Sequence, residues 1–251
     1  MNKNIHPQSA VLGFLLFLLL WQLISLAVDR PILPSPLKVM PMFVMELPGV
    51  LGLHLLASAG RVLAAIGLAV ITAAPAGLVL GQMPKLDRLF SPLIAITYPI
   101  PKIVLLPVIY VLMGITDISK IILIATIIFF QILVVVRDEA ASLKPELILS
   151  VRSLCAGRRA LFRYVYLPAS IPAVLTALRI SIGTAIAVLF IAEQSLTTYG
   201  LGYYIVVETY QVLRYPEMFT GILAMGLLGV VLYFTVASIE FRVNRHLFVA
   251  S

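Results

Sequence analysis

Two ionisable residues stand inside otherwise apolar stretches of the sequence. Lys102 lies in the middle of a proline-rich apolar run, and Glu193 lies near the end of another. An ionisable group inside a membrane costs about 2.5–3.5 kcal/mol or more and usually faces the protein interior or water. Our hypothesis is that Lys102 lines a translocation path and attracts an anionic solute, and that Glu193 pairs with Lys102 when the path is empty. A structural ion pair, or snorkelling to an interface, is the alternative.

The sequence carries no motif for covalent chemistry or nucleotide binding. It lacks a Gly-x-x-x-x-Gly-Lys-Ser/Thr phosphate loop, a Gly-x-Ser-x-Gly elbow and a His-Glu-x-x-His pair. The one cysteine, Cys155, excludes an internal disulfide and a thiolate metal cluster. The three histidines, His6, His54 and His246, have no ligand spacing. We therefore predict that this chain is not an enzyme and binds no metal or cofactor.

The composition predicts an integral membrane protein. Of 251 residues, 61% are hydrophobic and only 12% are charged, whereas a soluble domain has about a quarter of its residues charged. The apolar blocks have the length of about 20 residues that a spanning helix needs. They are continuously apolar, which favours helices over the alternating strands of a barrel. We expect a single all-α transmembrane domain, residues 1–251, that binds no nucleic acid.

Six apolar blocks predict six transmembrane helices. They are Ala10–Val28, Arg61–Gly81, Leu89–Met113, Ile118–Val136, Ala169–Leu196 and Met218–Glu240. The first resembles a signal peptide, but its apolar stretch is longer than usual, so we expect a retained helix.

The distribution of Lys and Arg predicts the orientation. One set of connections holds most of these residues: Lys3, Lys85, Arg88, Arg137, Lys144, Arg152, Arg158, Arg159, Arg163, Arg242 and Arg245. The other set holds only Arg30, Lys38 and Arg214. Because basic residues concentrate in cytoplasmic loops, both termini are predicted to be cytoplasmic.

The third span contains four prolines, which are Pro92, Pro99, Pro101 and Pro107. Each proline removes a backbone donor and clashes with the preceding turn, so this helix must be kinked or broken. Broken helices at membrane depth often build substrate pathways. A structural kink with no solute nearby explains the prolines equally well.

The longest and most basic inner connection is 137–168. Within it, Leu147, Val151, Leu154 and Cys155 share one helical face. Pro145 marks the expected helix start and Gly157 its end. Such a helix lies on the membrane surface or docks into a groove of a partner.

The order of residues in this connection resembles the coupling loop of binding-protein-dependent ABC importer permeases. That loop has Glu-Ala-Ala, then Gly, then Ile-x-Leu-Pro. Aligned on Leu167-Pro168, the family spacing puts Val165 at the Ile position and Cys155 at the Gly position. Leu149, Ser150 and Val151 take the Glu-Ala-Ala positions, so this chain lacks both the Glu and the Gly.

The resemblance covers almost the whole chain and is closest to nitrate, sulfonate and taurine permeases. Further matching segments are Leu33-Pro34-Ser35-Pro36, Pro99-Ile100-Pro101-Lys102, Leu178-Arg179-Ile180, Ala192-Glu193 and Gly200-Leu201-Gly202-Tyr203. Their order along the chain matches that of the family.

The resemblance implies a type I ABC importer permease fold in a bacterial inner membrane. It implies a second permease copy, two cytoplasmic ATP-binding subunits that carry ATP and Mg, and an external solute-binding protein. The intramembrane charges and the broken third span lead us to expect Lys102, Glu193, Pro99 and Pro101 in the translocation path. Those implied in coupling are Leu149, Ser150, Val151, Arg152, Leu154, Cys155, Ala156, Gly157, Arg158 and Arg159. The positive-inside rule, by which arginines set the orientation, explains four arginines of this loop equally well: Arg152, Arg158, Arg159 and Arg163.

Two other functions fit parts of the pattern. A secondary transporter also uses broken helices and intramembrane charges, but it predicts an internal repeat that the sequence does not show. A membrane scaffold without transport would have no use for the costly Lys102 and Glu193.

Overall fold

Helices form every regular element of the part of the chain that the structure describes. This structure is a computed structural model, and it describes residues 7–143, 145–153, 157–194 and 196–243. The first half contains α1 (Pro7–Val28), α2 (Pro36–Glu46), α3 (Val50–Gln82), α4 (Pro84–Thr97), a 3₁₀ turn (Lys102–Leu105), α5 (Leu106–Met113) and α6 (Asp117–Ala141). The second half contains α7 (Pro145–Ser153), α8 (Arg158–Leu161), a π-helical turn (Phe162–Tyr166), α9 (Leu167–Glu193), α10 (Leu201–Tyr203), a second π-helical turn (Tyr204–Tyr210) and α11 (Tyr215–Val243).

Within the described residues, four helices are long and apolar enough to cross a membrane, and a bent pair makes a fifth candidate. The four are Val50–Gln82, Asp117–Ala141, Arg159–Glu193 and Tyr215–Val243. The bent pair joins Pro84–Thr97 to Lys102–Met113 at 83°. The described apolar part of α1, Leu12–Val28, is shorter. The structure thus supports an all-helical membrane fold, while the six crossings stay a prediction.

Two predicted boundaries are wrong. The second span was predicted to begin at Arg61, but α3 begins at Val50, because the buried Arg61 pairs with Asp117 and does not end the helix. The fifth was predicted to reach Leu196, but α9 ends at Glu193. Leu196 has a positive φ of 55°, which a right-handed helix does not allow.

The chain forms two compact units. One comprises Met1–Ala57 with Glu193–Leu227, and the other comprises Ser58–Ala192 with Leu228–Ser251.

In the first unit, the segment before α2 is tied to α1 by side-chain hydrogen bonds. The Trp21 indole donates to the carbonyl of Pro34 at 3.1 Å, and the Ser25 hydroxyl donates to that of Leu33 at 2.8 Å. Ser35 then takes the N-cap of α2, with Pro36 in its first turn, a position where the missing N–H costs nothing. These two hydrogen bonds and the N-cap position fix the backbone conformation of the segment Leu33-Pro34-Ser35-Pro36.

In the second unit, α3 and α6 approach closely at two glycines. A Cβ at Gly77 would lie 2.9 Å from the Leu133 carbonyl oxygen, and one at Gly81 would lie 2.5 Å from that of Arg137. Small residues allow such backbone proximity between helices in a membrane. The Gln82 amide also donates to the Ala140 carbonyl across this contact.

Charged pairs join the helices of the second unit. Arg61, 5% exposed, donates from Nε to Asp117 at 2.8 Å. Arg179 pairs with Glu240, with Nε 2.9 Å from Oε2. Arg61 and Arg179 thus each pair with a carboxylate of another helix.

Candidate functional site

The third span breaks where the proline pattern predicts. Helix α4 continues through Pro92, and Pro107 lies in the first turn of α5, where it is tolerated. The break lies at Pro99 and Pro101, between Thr97 and Lys102. Neither proline has an N–H with which to continue the helical ladder. The last carbonyls of α4 are consequently left without helical partners.

Lys102 donates to three carbonyls at and just after the end of α4. Its Nζ donates to the carbonyls of Thr97 (2.9 Å), Tyr98 (2.9 Å) and Ile100 (3.2 Å). It also lies 4.4 Å from the centroid of the Phe130 ring, within the range of a cation–π interaction. A positive charge is favourable at a helix C-terminus because of the helix dipole. An ammonium has three donors, so all three are engaged by the broken helix itself.

A cavity of about 320 Å³ lies beside the break. It is lined by the break itself and by parts of α6 and α9: Tyr98, Pro99, Ile100, Pro101, Lys102, Ile103, Ile127, Phe130, Gln131, Thr184 and Val188. The Gln131 amide donates to the Thr184 hydroxyl at 3.4 Å. Its buried carbonyl oxygen, Oε1, has no hydrogen-bond partner among the described residues. Buried polar groups are normally satisfied by protein or water, so Gln131 has spare acceptor capacity at this cavity.

A larger neighbouring cavity differs in character. It measures about 540 Å³ and is lined almost entirely by apolar side chains of α3, α4 and α6, with Phe130 shared between the two cavities. A charged solute would lose its hydration there without gaining polar contacts. Of these two cavities, only the one beside Lys102 suits an ion.

Glu193 lies at the end of the helix that corresponds to the fifth predicted span. It is the last residue of α9, is fully buried, and its Oε2 accepts from the backbone N–H of Gly202 at 3.1 Å. Glu193 and Lys102 belong to different compact units. Their joint role in a path stays a prediction.

Three polar residues to which sequence reasoning gave no role, His54, Glu46 and Tyr204, lie in the same compact unit as Glu193. His54, only 2% exposed, accepts through Nδ1 from the Gly200 N–H at 3.0 Å. Glu46 accepts from the Tyr204 hydroxyl at 2.9 Å, and burial raises the pKa of Tyr204, so that its hydroxyl stays protonated. No local motif could have revealed these pairs, because 146 residues separate His54 from Gly200.

The predicted coupling residues are described only in part. Leu149, Ser150 and Val151 lie in α7, with Leu149 61% exposed. Arg152 lies in the same helix, Arg158 begins α8, and the Arg159 side chain is exposed. The carbonyl of Gly157 accepts from the N–H groups of Ala160 and Leu161, so this glycine opens α8. Leu154, Cys155 and Ala156 lie outside the described residues, and coupling through this loop stays a prediction.

Comparison with known proteins supplies the family. Residues 65–248 match the family described as binding-protein-dependent transport system inner membrane component. The chain belongs to this family. It is therefore a multi-pass inner membrane protein and the permease subunit of an ABC importer, a transport component that works with ATP-binding subunits and a solute-binding protein. This decides for the importer over the secondary transporter and the scaffold.

Relatives of the permease support the predicted subgroup. It is 33% identical to the taurine transport system permease TauC of Escherichia coli, over 60% of this chain and 54% of that protein. It is 28% identical to the bicarbonate transport system permease CmpB of a Synechocystis strain, over 88% and 83%. It is 24% identical to the formylaminopyrimidine transport permease ThiX of Halalkalibacterium halodurans, over 96% of each.

The fold of the permease matches a solved structure. A chain of the MetNI methionine ABC transporter, in an inward-facing conformation, superimposes with a TM-score of 0.65. The match covers 77% of the permease and 96% of that chain at 20% identity. This likeness shows the type I importer permease fold.

Proposed function

We propose that the permease moves a small anionic solute through the cavity beside Lys102. The observation that carries this proposal is that Lys102, a residue only 9% exposed, lies on the wall of the cavity beside the break. Because its three donors are held by carbonyls, Lys102 would attract a solute by its charge. That attraction acts over several ångströms in a medium of low dielectric constant. Taurine and bicarbonate, which the names of two relatives give as substrates, both carry an anionic group.

The charge of Lys102 is testable apart from its structural role. Lys102→Gln keeps two amide donors for the helix carbonyls but removes the charge, and Lys102→Arg keeps the charge. In the reconstituted complex, we expect the Gln variant to lose about tenfold in uptake and in solute-stimulated ATPase activity, which corresponds to ~1.4 kcal/mol. The Arg variant should retain most of both.

A different pattern among the Lys102 variants would refute the path proposal. If Lys102→Gln transports like the wild type while Lys102→Met is inactive and unstable, Lys102 is only a cap for α4, and the path proposal fails. Thermal stability of each purified variant separates loss of fold from loss of transport.

We also propose the full assembly. The permease crosses the membrane six times with both termini cytoplasmic, pairs with a second permease copy, and receives solute from the external binding protein. Two ATP-binding subunits carry ATP and Mg, and residues 137–168 dock into them. The support is the excess of Lys and Arg on one side and the exposed helix α7 in this loop.

The identity of the solute is to be found with the cognate binding protein. Titration with taurine, an aliphatic sulfonate, bicarbonate, nitrate and formylaminopyrimidine should give one tight ligand, and that ligand should stimulate the ATPase activity of the complex. Tight binding of the uncharged heterocycle alone would contradict the anion proposal.

A further inference from the structure

The turn Gly200–Tyr204 is held by acceptors that come from outside it. His54 Nδ1 lies 3.0 Å from the Gly200 nitrogen, Glu193 Oε2 lies 3.1 Å from the Gly202 nitrogen, and Glu46 Oε2 lies 2.9 Å from the Tyr204 hydroxyl. All six residues belong to one compact unit. His54 and Glu193 are 2% and 0% exposed, so water does not compete for these bonds.

The backbone of this turn needs such support. Gly200 has φ 126° and ψ 159°, a conformation that is essentially restricted to glycine. It is the N-cap of α10, and the first N–H groups of a helix have no partner within the helix. A local Ser, Thr, Asp or Asn usually caps them. Here the N-cap is a glycine without a side chain, and His54 and Glu193 accept from the backbone in its place.

The geometry also defines which ring nitrogen of His54 carries the proton. Because Nδ1 accepts from Gly200, the proton of the neutral imidazole is on Nε2, which lies 3.3 Å from Glu208 Oε2 and donates towards it. The rings of Tyr199, Tyr203 and Tyr204 lie 5.4 to 6.1 Å from the imidazole centroid. The imidazole therefore has a fixed orientation, with one nitrogen for each partner.

Large exposed side chains flank the turn. They are Leu196, Tyr199, Tyr210 and Leu213, which are 51 to 67% exposed. All four lie in the connection between α9 and α11, outside the candidate spans. The polar bonds fix the backbone from which these side chains project.

We propose that His54 and Glu193 are positioning residues that hold the Gly200–Tyr204 turn in the shape in which it contacts the solute-binding protein. This inference rests on the proposed orientation, in which the connection between α9 and α11 faces outward. Glu193 then acts on the outer turn through Gly202. His54 acts through Gly200, and its essential atom is the acceptor Nδ1.

Two conservative variants separate the two nitrogens of His54. His54→Asn places an amide oxygen near the position of Nδ1 and retains the acceptor for Gly200. His54→Gln places its amide near the position of Nε2, and so retains a contact with Glu208 but not with Gly200. Glu193→Gln keeps an acceptor for Gly202, and Glu193→Leu removes it.

Amide hydrogen exchange of the purified permease–ATPase complex in nanodiscs, resolved to single residues, reads these bonds directly. We expect His54→Gln to speed exchange at Gly200 about tenfold, the factor for one hydrogen bond of ordinary strength. Exchange should stay near the wild-type rate in His54→Asn. Glu193→Leu should act at Gly202 in the same way, with Glu193→Gln as its control. Equal exchange in the two His54 variants would overturn the positioning role.

The docking role has its own measurement. The cognate binding protein, purified without added solute, is titrated against the complex, and ATPase activity is recorded. His54→Gln should raise the concentration needed for half-maximal stimulation about tenfold without changing the maximal rate, and His54→Asn should restore it. A lower maximal rate with an unchanged half-maximal concentration would show that the turn does not serve docking, and an effect on permease pairing alone would assign it to the second copy.

The positioning role of His54 and Glu193 and the proposed orientation of the chain are refuted by different results. Hydrogen exchange reads the bonds at Gly200 and Gly202 whichever way the chain is oriented. Labelling of Tyr199→Cys with an impermeant reagent from the cytoplasmic side only would refute the orientation and the docking role together, while leaving the positioning bonds intact.

Discussion

Charged side chains inside the described part of this permease are held by three kinds of partner. Lys102 binds backbone carbonyls of a broken helix, Glu193 binds a backbone N–H, and Arg61 binds the carboxylate of Asp117. Each arrangement compensates a charge whose transfer out of water is otherwise costly. At the scale of single residues, each of these buried groups therefore has a structural partner. A test of its role in transport must separate loss of stability from loss of transport.

The Arg61–Asp117 pair should contribute to stability. Asp117 is the first residue of α6, where a negative charge also favours the helix dipole, but it is 63% exposed, so solvent weakens the pair. We expect Asp117→Ala to cost about 1–2 kcal/mol, because Arg61 stays buried without this carboxylate. The measurement is the thermal unfolding midpoint of purified protein in detergent.

Asp138→Ala is the matched control. Asp138 is 66% exposed, lies near the C-terminal end of the same helix, and approaches Arg137 only to 3.9 Å. Its removal should be neutral or slightly stabilising, because a negative charge is unfavourable there. Equal losses in the two variants would mean that the Arg61 contact contributes nothing specific.

At the scale of elements, two features shape this permease: a helix that breaks and a pair of helices that nearly touch. The break between α4 and α5 creates both the orphan carbonyls that Lys102 satisfies and the cavity beside them. The contact of α3 with α6 depends on Gly77 and Gly81. Prolines and glycines thus determine where these helices stop and how near they come.

The close approach of α3 and α6 predicts the effect of adding one methyl group. Gly81→Ala would place a Cβ 2.5 Å from the Arg137 carbonyl oxygen and 2.7 Å from the Ala140 Cβ, so the helices would have to separate. We expect a loss of about 1–3 kcal/mol, as for other overpacked contacts, and a lower yield of folded protein.

Gly67→Ala, in the same helix, provides the comparison. A Cβ at Gly67 would meet nothing within 4 Å, and alanine is favoured over glycine in a helix by about 1 kcal/mol. This variant should be as stable as the wild type or more so in the same thermal assay. If Gly81→Ala behaved like Gly67→Ala, the close approach would not exist in the membrane.

The predicted coupling loop, residues 137–168, contains an exposed leucine through which docking can be tested. Leu149→Gln removes an apolar side chain from α7 that is 61% exposed, so folding should be unaffected. If α7 docks into the ATP-binding subunit, the variant should co-purify about tenfold less of it, since burying a leucine contributes about 1.5–3 kcal/mol. Leu196→Gln, at a comparably exposed leucine outside the loop, should co-purify a normal amount. Equal recovery in both variants would argue against docking through Leu149.

At the scale of the whole molecule, the permease is one part of a machine that also needs ATP-binding subunits and a solute-binding protein. Many of its large apolar side chains are exposed, especially along α1 and α11. A bilayer would cover such surfaces, in keeping with an inner membrane protein. Which connections face the cytoplasm then decides which partner each can contact.

Cysteine labelling tests this orientation. In a Cys155→Ser background, Arg159→Cys and Tyr199→Cys each introduce one thiol at an exposed side chain. Because the positive-inside bias predicts that 137–168 is cytoplasmic, an impermeant maleimide should label the Arg159 variant only in inside-out vesicles. It should label the Tyr199 variant only from the outside. The reverse pattern would invert the topology and rule out the coupling loop.

The membrane class, the broken third span and the family were already determined by the sequence alone. Hydropathy and proline chemistry are local properties, so Pro99 and Pro101 predict a break whatever surrounds them, and runs of apolar residues predict helices in lipid. The partners of the buried groups were decided only by the tertiary structure. The bond from Gly200 to His54 spans 146 residues, and the approach of Gly81 to α6 depends on helix packing. No periodicity along the chain encodes such contacts, because they arise when distant segments fold against one another.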